Sequence, residues 1–340
     1  MTKFLYILVS GQTDIYCEQT YVSMLSLKHY NPDAEISLLV DDETDKNLIG
    51  FRGEVKNLAN EYKVVPFEKE ISPMRRSRLL KTNMRNLIDG DFLYLDGDTV
   101  VAETLKIPNE NWGDVAAVCD LHAREKDCYR TRNKRFINSL AKLKFTMSLD
   151  DLYFNSGVIF AKDSPKAKAF FDKWHELYQY CNQHEIFTDQ FSFNETNHLF
   201  HFPIFEIPGE WNCQVREAYN HLYRVPRIYP LLCRVKILHF FGSGIQGKVE
   251  PHPLMDSEFY KNIKKKQAIT EDDLNLIFHA KHAFYAAPEE FDPTKKFPSF
   301  FWKGKLRSQF VKKKKRKNLI FSQIFFDKKS QALNFTLDKF

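Results

Sequence analysis

Two carboxylates separated by one residue are the groups in this sequence best suited to do chemistry. Asp96 and Asp98 follow the short apolar run 92–95, which is typical of a buried parallel strand. Residues two apart on an extended chain project to the same side, roughly 6–7 Å apart, so both carboxylates can reach one divalent cation. Because ligands gather beyond the carboxyl ends of strands in open parallel sheets, this position favours a metal site over a plain strand-end turn.

A second triplet of the same residues, Asp89-Gly90-Asp91, lies at the other end of the same apolar run. Because it precedes the strand, we expect it at the opposite edge of the sheet. Asp-Gly also supplies the chemistry that turns require. We therefore interpret this triplet as a solvated turn.

The composition indicates a globular protein of one large domain or two ordinary ones. The chain has 340 residues, of which 43% are hydrophobic and 31 are Phe, and this is ample for a core. Its 12 Gly argue against disorder over most of the length. The net charge of +6 is modest and does not by itself indicate a nucleic-acid partner.

The cysteines and the start of the chain favour a cytoplasmic protein. The apolar run 4–10 is short and is soon followed by Asp14 and Glu18, so a first strand fits it better than a signal peptide. No run reaches the ~18–20 apolar residues of a membrane span. No cysteine pair has the C-x-x-C spacing of a structural zinc site. We expect reduced, buried thiols at Cys17, Cys119, Cys128, Cys181, Cys213 and Cys233.

Apolar runs alternate with helical periodicity, which favours βαβ units and a mostly parallel sheet. Strands are predicted at 4–9, 35–40, 62–67, 92–95, 114–119, 152–160 and 234–241, and helices at 17–28, 75–88 and 167–181. The basic segment 121–151 is predicted to be irregular, as a lid or acceptor loop. The predicted fold class is α/β, with a sheet flanked by helices over residues 1–250 and a helical, basic C-terminal extension over residues 251–340.

The end of the chain combines basic and bulky apolar residues. Basic residues fill positions 312–317, and apolar runs follow at 319–321 and 324–326. Such a segment, taken as 305–326, could lie on an anionic membrane surface at the inner face of the cell membrane; the alternative is a packed terminal helix with a solvated charged face. No aromatic stacking surface or known module accompanies the run, so no nucleic-acid partner is predicted.

Polar residues follow several predicted strands, and we expect them at one edge of a single sheet: Ser10, Gly11, Asp41, Asp42, Asp96, Asp98, Asn155 and His239. His239 precedes a loop around Gly242 whose glycines could approach a phosphate closely. Two carboxylates and one imidazole suit Mn²⁺, which accepts mixed oxygen and nitrogen ligands more readily than Mg²⁺.

The order of five short motifs resembles glycosyltransferase family 8. The motifs are Leu93-Tyr94-Leu95-Asp96-Gly97-Asp98, Tyr153-Phe154-Asn155-Ser156-Gly157-Val158, Asp189-Gln190, Trp211-Asn212 and Leu238-His239-Phe240-Phe241-Gly242. The resemblance implies a GT-A catalytic domain over residues 1–250 that moves a hexose, with retention and with Mn²⁺ or Mg²⁺, from a nucleotide sugar such as a UDP-hexose. Because the family includes bacterial lipopolysaccharide galactosyl- and glucosyltransferases, the implied acceptor is a saccharide or a lipid-linked cell-surface glycan.

The resemblance also assigns roles position by position. The family's metal ligands match Asp96, Asp98 and His239. The contact to the donor diphosphate or sugar matches Arg78. Further donor-binding candidates are Ser10, Gly11, Asp41, Gly97, Gly242 and Lys248.

The implied catalytic group is Asn155, near the donor sugar, with Asp189 and Gln190 beneath the anomeric carbon. The departing diphosphate gains negative charge, which a metal ion and a cation such as Arg78 or Lys248 would stabilise. The sugar gains oxocarbenium character, which Gln190 or Asp189 could stabilise from below. A diphosphate oxygen could serve as the base for the acceptor hydroxyl.

The helix predicted at 75–88 carries three basic residues with regular spacing. Arg78, Lys81 and Arg85 lie at i, i+3 and i+7, so one helical face could hold all three near the donor. The alternative for Lys81 and Arg85 is a solvated surface.

Two stretches depart from the family pattern. After the first strand the chain reads Ser10-Gly-Gln-Thr-Asp14, where the family has a residue that meets the base. After the His-Phe stretch it reads Ser243-Gly-Ile-Gln-Gly-Lys248, without the family's Lys-Pro-Trp, so the register of Lys248 is shifted.

Two other functions compete with sugar transfer. Asp96-Gly-Asp-Thr-Val100 also matches the first motif of haloacid-dehalogenase-type phosphatases, with Asp96 as nucleophile and Asp98 as acid and base. That motif normally ends the first strand, however, whereas three strands are predicted before it here. A non-catalytic carbohydrate-binding protein that kept the fold is the second alternative.

Overall fold

The computed structural model describes residues 2–108, 111–122, 130–215, 231, 234–240 and 252–283. The predictions for Gly242, Lys248, Cys128, Cys233 and the segment 305–326 lie outside the described residues.

Ten strands and nine α-helices are the main elements of the described residues. The strands are β1 (Lys3–Leu8), β2 (Ile36–Asp41), β3 (Glu61–Val65), β4 (Phe92–Leu95), β5 (Thr99–Val101), β6 (Val115–Cys119), β7 (Phe154–Ala161), β8 (Ile204–Glu206), β9 (Cys213–Gln214) and β10 (Ile237–His239). The helices are α1 (Tyr16–Tyr30), α2 (Asp42–Asn47), α3 (Glu54–Asn57), α4 (Pro73–Leu87), α5 (Arg130–Leu143), α6 (Pro165–Gln183), α7 (Asp189–Leu199), α8 (Ser257–Lys266) and α9 (Glu271–Phe278).

A seven-stranded sheet forms the centre of the molecule, in the order β3-β2-β1-β4-β7-β6-β8. All of its described strands run parallel except β7, which is antiparallel to both of its neighbours. Helices pack on both faces. The predicted fold class, α/β with a mostly parallel sheet flanked by helices, is confirmed.

The central strands are apolar on both sides because each face of the sheet is covered. One face packs against α1, and the core there includes Met24 and Leu27. The other face packs against α4 and α6 through residues that include Leu80, Phe171 and Trp174. The aromatic stripe of α6 is therefore core, as its helical spacing predicted, since Phe171 and Trp174 are fully buried.

A second, three-stranded sheet in the order β5-β10-β9 stands at the end of β4. Its core also contains residues of the last described helices, such as Tyr260 and Ile263 of α8 and Ile277 of α9. The described part of the C-terminal extension is thus helical and packs directly on this sheet. The division of the chain at residue 250 stays a prediction.

The prediction of an irregular segment over 121–151 was wrong in part, because α5 occupies Arg130–Leu143. Phe136 is buried and packs with Leu140, Met147 and Tyr153 in a small separate cluster. Few apolar residues anchor this helix to the rest of the protein, and they are separated by basic residues. The sequence therefore lacks a clear apolar stripe with helical spacing.

Every helix in the described residues is too short or too polar to cross a membrane.

Candidate functional site

The turn between β4 and β5 places Asp96 and Asp98 at the carboxyl edge of the main sheet. Both the backbone N–H and the hydroxyl of Thr99 donate to the carbonyl oxygen of Asp96, at 3.1 and 2.8 Å. A Cβ on Gly97 would lie 2.3 Å from Oγ1 of Thr20 in α1. Only glycine lets the turn lie this close to the helix, so Gly97 acts here through packing.

Strand pairing brings His239 to the same turn. β10 is antiparallel to β5, with His239 opposite Thr99, and the N–H of Phe240 donates to the carbonyl oxygen of Asp98 at 2.9 Å. As a result, Nε2 of His239 lies 3.2 Å from Oδ1 of Asp98 and 3.9 Å from Oδ2 of Asp96. One ligand atom from each of the three residues lies within 4.8 Å of the other two.

The expectation that all these residues belong to one edge of a single sheet was wrong for His239. His239 lies in the second sheet, because the chain turns away after β4 and forms β5, with which β10 pairs. Asn155 lies near the start of β7 rather than at a strand end. Since β7 is antiparallel, its start lies at the edge where the parallel strands end, so Asn155 still reaches the site.

Lys81 is the site residue whose role the sequence did not reveal. Its side chain is 2% exposed, and Nζ lies 3.1 Å from Oδ1 of Asp96 and 3.3 Å from Oδ2 of Asp189. Tyr94 also donates a short hydrogen bond to Oδ1 of Asp96. Its position in the sequence could have indicated that it is buried. Lys81 adjoins Leu80 on the apolar stripe of α4, where a solvated lysine is not expected.

Arg85 does not share this site. It is buried, and its guanidinium donates to the carbonyl oxygens of Gly90 and Lys162, at 2.8 and 3.2 Å, at the opposite edge of the sheet. The hypothesis that one helical face holds all three basic residues near the donor was therefore wrong for Arg85, and so was the alternative of a solvated surface.

Asp189 is the centre of a second charged cluster beside the first. Arg78 Nε lies 3.1 Å from its Oδ1, and the hydroxyl of Ser156 donates to its Oδ2 at 2.9 Å. Burial alone would raise the pKa of Asp189, but the charges of Lys81 and Arg78 and the Ser156 hydrogen bond more than offset it and hold the pKa well below the usual range. Asp189 is therefore a buried, ionised carboxylate.

The same competition acts on the pair His239 and Asp98. Burial alone would lower the pKa of His239, but the neighbouring Asp98 and Asp96 carboxylates raise it above its ordinary value. Burial alone would raise the pKa of Asp98, but His239 beside it lowers the value. Each group therefore favours the charged form of the other.

Besides the partly exposed Asp96 and Asp98, Gln190 and Arg78 have free surface at this site. Gln190 is half-buried, one residue after Asp189 in the first turn of α7, which Thr188 caps. The Arg78 side chain is 34% exposed, although its Nε contacts Asp189. Both can therefore contact a ligand while Asp189 stays buried.

The loop after β1 is held by its own network. Arg52 donates to the carbonyl oxygen of Gly11 and to Oγ of Ser10, both at 2.8 Å, and Ser10 is buried. Asp41 is fully buried, with Oδ2 2.5 Å from Nε of Arg76. Contact of Asp41 with a donor, as predicted, would need this buried pair to open.

The donor atoms at Asp96, Asp98 and His239 fit a divalent cation. Two carboxylate oxygens and one imidazole nitrogen are a ligand set that Mn²⁺ accepts. Oδ1 of Asp96 accepts from Tyr94 and Lys81, whereas Oδ2, which also accepts from Lys81 at 3.3 Å, lies on the side of His239. Nδ1 of His239 hydrogen-bonds to Asn212 at 2.9 Å, which leaves Nε2 on the side of the carboxylates.

Comparison with known proteins found no matching family model and no matching curated protein. Among solved structures, the chain is similar to a galactosyltransferase, LgtC, in complex with donor and acceptor sugar analogs, at 16% identity and a TM-score of 0.47 over 80% of this chain and 98% of that one. It is also similar to mouse xyloside xylosyltransferase 1, at 12% identity and a TM-score of 0.45 over 73% and 99% of the two chains. A third likeness is to the glycosyltransferase GlyE of Streptococcus pneumoniae TIGR4, at 16% identity and a TM-score of 0.45 over 85% and 66%.

Proposed function

We propose that this protein transfers a hexose from a nucleotide diphosphate sugar to a saccharide acceptor and that the reaction depends on a divalent metal. The observation that carries this proposal is the meeting of Asp96, Asp98 and His239 at the sheet edge, next to the buried cation of Lys81. The first three side chains are suited to a metal ion, and the partly exposed Arg78 beside them is suited to an anionic donor.

The balance of charge explains why a donor diphosphate would need a metal ion here. Asp96, Asp98 and Asp189 carry three negative charges, and Lys81 and Arg78 carry two positive ones. His239 must be neutral to bind a metal ion, and in that form the set alone has one net negative charge and repels a diphosphate. With Mn²⁺ bound, the same set has one net positive charge and attracts it.

The transfer chemistry divides between the metal site and the two basic side chains. Asp96, Asp98 and His239 would hold Mn²⁺, which when bound supplies electrostatic stabilisation of the negative charge that develops on the leaving diphosphate. Arg78, whose side chain is partly exposed, adds a fixed positive charge. Lys81 is fully enclosed, so its role is to hold Asp96 and Asp189 in place.

Gln190 is the better candidate to face the sugar, because both oxygens of Asp189 are engaged. Oδ1 of Asp189 contacts Arg78, and Oδ2 contacts Ser156 and Lys81. Gln190 has more free surface, and its amide oxygen can stabilise positive charge at the anomeric carbon. Asp189 would position the two cations. Retention of configuration, as the family resemblance implies, is part of the proposal and can be read from the product by NMR.

The decisive experiment is a panel of nucleotide sugars assayed for hydrolysis and transfer with Mn²⁺ and with EDTA. We expect turnover of a UDP-hexose that EDTA abolishes and Mn²⁺ restores. Asp98→Ala or His239→Ala should lower turnover by about 10³-fold, because each removes a ligand. Asp89→Ala, in the upstream triplet, is the matched control and should keep it. Unchanged turnover in both ligand variants would rule out the proposed site.

The same assays address the two alternatives. A phosphatase would release phosphate from simple esters such as p-nitrophenyl phosphate without a nucleotide sugar, and it gives His239 no role. A binding protein would retain a sugar without turnover.

A lipid-linked glycan acceptor at the inner membrane face is the finer part of the proposal. It rests on the basic and apolar pattern of residues 305–326, which lie outside the described residues. Cosedimentation of the full chain with vesicles that contain anionic lipid tests it. Binding should weaken when the basic residues at 312–317 are replaced by Gln and should be absent with neutral vesicles. Equal binding to both kinds of vesicle would contradict it.

A further inference from the structure

A continuous series of hydrogen-bonded, buried polar side chains leads to His239 on the Nδ1 side of its ring, away from the carboxylates. Nδ1 of His239 lies 2.9 Å from Oδ1 of Asn212, and Nδ2 of Asn212 donates to Oδ1 of Asn155 at 2.9 Å. Nδ2 of Asn155 in turn donates to Oδ1 of Asp120 at 3.0 Å. Each of these four side chains is at most 5% exposed. The chain joins the second sheet, which carries His239, to the main sheet, which carries Asn155.

A backbone group sets the direction of every hydrogen bond in this chain. The N–H of Gly157 donates to Oδ1 of Asn155 at 2.9 Å, and a backbone N–H can only donate. The side-chain oxygen of Asn155 must therefore face Gly157 and Asn212. Its NH₂ group then faces Asp120, whose carboxylate oxygen accepts. Both ends of the Asn155 amide are thus satisfied in one orientation and in conflict in the other.

The orientation of Asn155 in turn fixes the orientation of Asn212 and the position of the proton on the imidazole of His239. Since Oδ1 of Asn155 is an acceptor, Asn212 must present its NH₂ group to it and its oxygen to His239. That oxygen needs a donor, so Nδ1 of His239 carries a proton. In a neutral ring the lone pair then belongs to Nε2, which is the atom beside Asp98 and Asp96.

Gly157 also makes room for the ring. A Cβ at this position would lie 2.2 Å from Cε1 and 2.8 Å from Nδ1 of His239. A side chain here would displace the imidazole from both Asn212 and the carboxylates. Gly157 therefore has two effects. Its N–H fixes the orientation of the Asn155 amide, and its lack of a side chain leaves room for the imidazole of His239.

We propose that Asn212 and Asn155 are positioning residues that select the Nδ1–H tautomer of His239 and so aim the lone pair of Nε2 at the cation position. The proposal rests on the metal site of the proposed function. It also gives Asn155, predicted as a donor-sugar contact, a role that acts through His239. The chain of contacts predicts that losing Asn212 changes metal affinity without removing any metal ligand.

The test combines a metal-free spectrum with a metal titration. Long-range ¹H–¹⁵N NMR of histidine-labelled protein shows which ring nitrogen is protonated. Because the neighbouring carboxylates raise the pKa of His239, the pH is raised until its signals stop changing, at which point the ring is neutral. His239→Gln identifies the signal among the 11 histidines. We expect wild type to show the Nδ1–H tautomer and Asn212→Leu to show a mixture or the Nε2–H form. Mn²⁺ binding, followed by EPR, should weaken about 10–100-fold in Asn212→Leu.

A pair of exchanged substitutions distinguishes an effect of hydrogen-bond direction from an effect of side-chain packing. Asn155→Asp alone places two carboxylates face to face, because Asp120 is its partner. Adding Asp120→Asn to Asn155→Asp exchanges the two groups, so that position 120 now donates, while position 155 still accepts from Asn212 and Gly157. We therefore expect the double variant to recover both the Nδ1–H tautomer and the Mn²⁺ affinity that the single variant loses. This pair also keeps the test available if Asn212→Leu unfolds.

Two results would overturn the positioning role: a wild-type ring protonated at Nε2, or an Nδ1–H signal and Mn²⁺ affinity that Asn212→Leu leaves unchanged. Failure of the proposed function gives a different result. In that case wild type does not bind Mn²⁺ with or without UDP, while the tautomer spectrum, recorded without metal, still decides whether Asn212 selects the ring proton.

Discussion

Asp89-Gly90-Asp91 and Asp96-Gly97-Asp98 contain the same residues and flank the same strand, β4. At the upstream triplet, Gly90 has a φ of +78° and open space around it, and its N–H donates to Asp163 at 2.7 Å. At the downstream triplet, Gly97 lies against Thr20 of α1. The first is a surface turn that needs a left-handed residue, whereas the second is a packed turn that needs a small one.

Helix α4 serves both triplets with two basic residues four positions apart. Lys81 contacts the carboxylate of Asp96, whereas Arg85 donates to the carbonyl oxygen of Gly90. At the carboxyl edge Lys81 therefore balances the charge of a carboxylate, and at the opposite edge Arg85 provides hydrogen bonds to backbone carbonyl oxygens. The edge of the sheet, rather than the residue types, therefore decides which Asp-Gly-Asp can become a site.

The largest expected difference between the triplets is in activity. Asp96→Asn with Asp98→Asn should lower UDP-hexose turnover by about 10³-fold or more, because the carboxylate ligands are lost while shape is kept. Asp89→Asn with Asp91→Asn should leave turnover within about 2-fold, since surface changes away from a site have little effect. Initial rates with saturating Mn²⁺ measure both. Equal losses would mean that the two edges do not differ in function.

The next largest difference is in stability, at the two basic residues. Lys81→Met should lower the free energy of unfolding by about 3–5 kcal/mol, because Asp96 and Asp189 are left without their shared cation. Arg85→Met should cost less, about 1–3 kcal/mol, since it leaves carbonyl oxygens unpaired and its carboxylate contact, Asp163, is exposed to solvent. Urea unfolding measures both changes.

The control for this prediction is Lys81→Met in an Asp189→Asn background. Its additional cost there should be smaller, because only one carboxylate then loses its partner. An unchanged cost would show that Lys81 acts through packing rather than charge.

These two comparisons also show what the sequence could and could not predict. The apolar run 92–95 and its flanking triplets were sufficient to locate both turns, because a buried parallel strand leaves a clear pattern. The burial of Lys81 was not predicted, since it depends on how α4 packs on the sheet. The antiparallel direction of β7 and the separate sheet that carries His239 were also missed, because strand pairing between distant segments leaves no local pattern.

A smaller effect should distinguish the two glycines. Gly97→Ala should destabilise by about 1–3 kcal/mol through its contact with Thr20, and Thr20→Ala should recover part of that loss. Gly90→Ala should cost about 1–2 kcal/mol because of its positive φ, with no recovery from Thr20→Ala. Double-mutant cycles by urea unfolding measure the coupling. Coupling between Gly90 and Thr20, or none between Gly97 and Thr20, would contradict the account.

The smallest effect is a pH dependence at the downstream edge. The pKa of folded Asp189 lies below its ordinary value of 3.8, because Lys81 and Arg78 outweigh the effect of burial. Its stabilising contribution is therefore complete above about pH 4 and is lost as pH falls through the folded value. Between about pH 4 and 2, the free energy of unfolding should fall more steeply for wild type than for Asp189→Asn. Parallel curves would show that Asp189 gains nothing from these cations.

The most direct test of the central claim is Mn²⁺ binding, measured by EPR with purified protein in the presence and absence of UDP. The account predicts about one bound ion per chain, with affinity at least about 10-fold weaker in Asp98→Asn and in His239→Ala and unchanged in Asp91→Asn. Absence of bound Mn²⁺ under both conditions, or equal affinity in all three variants, would contradict the claim that Asp96, Asp98 and His239 form a metal site.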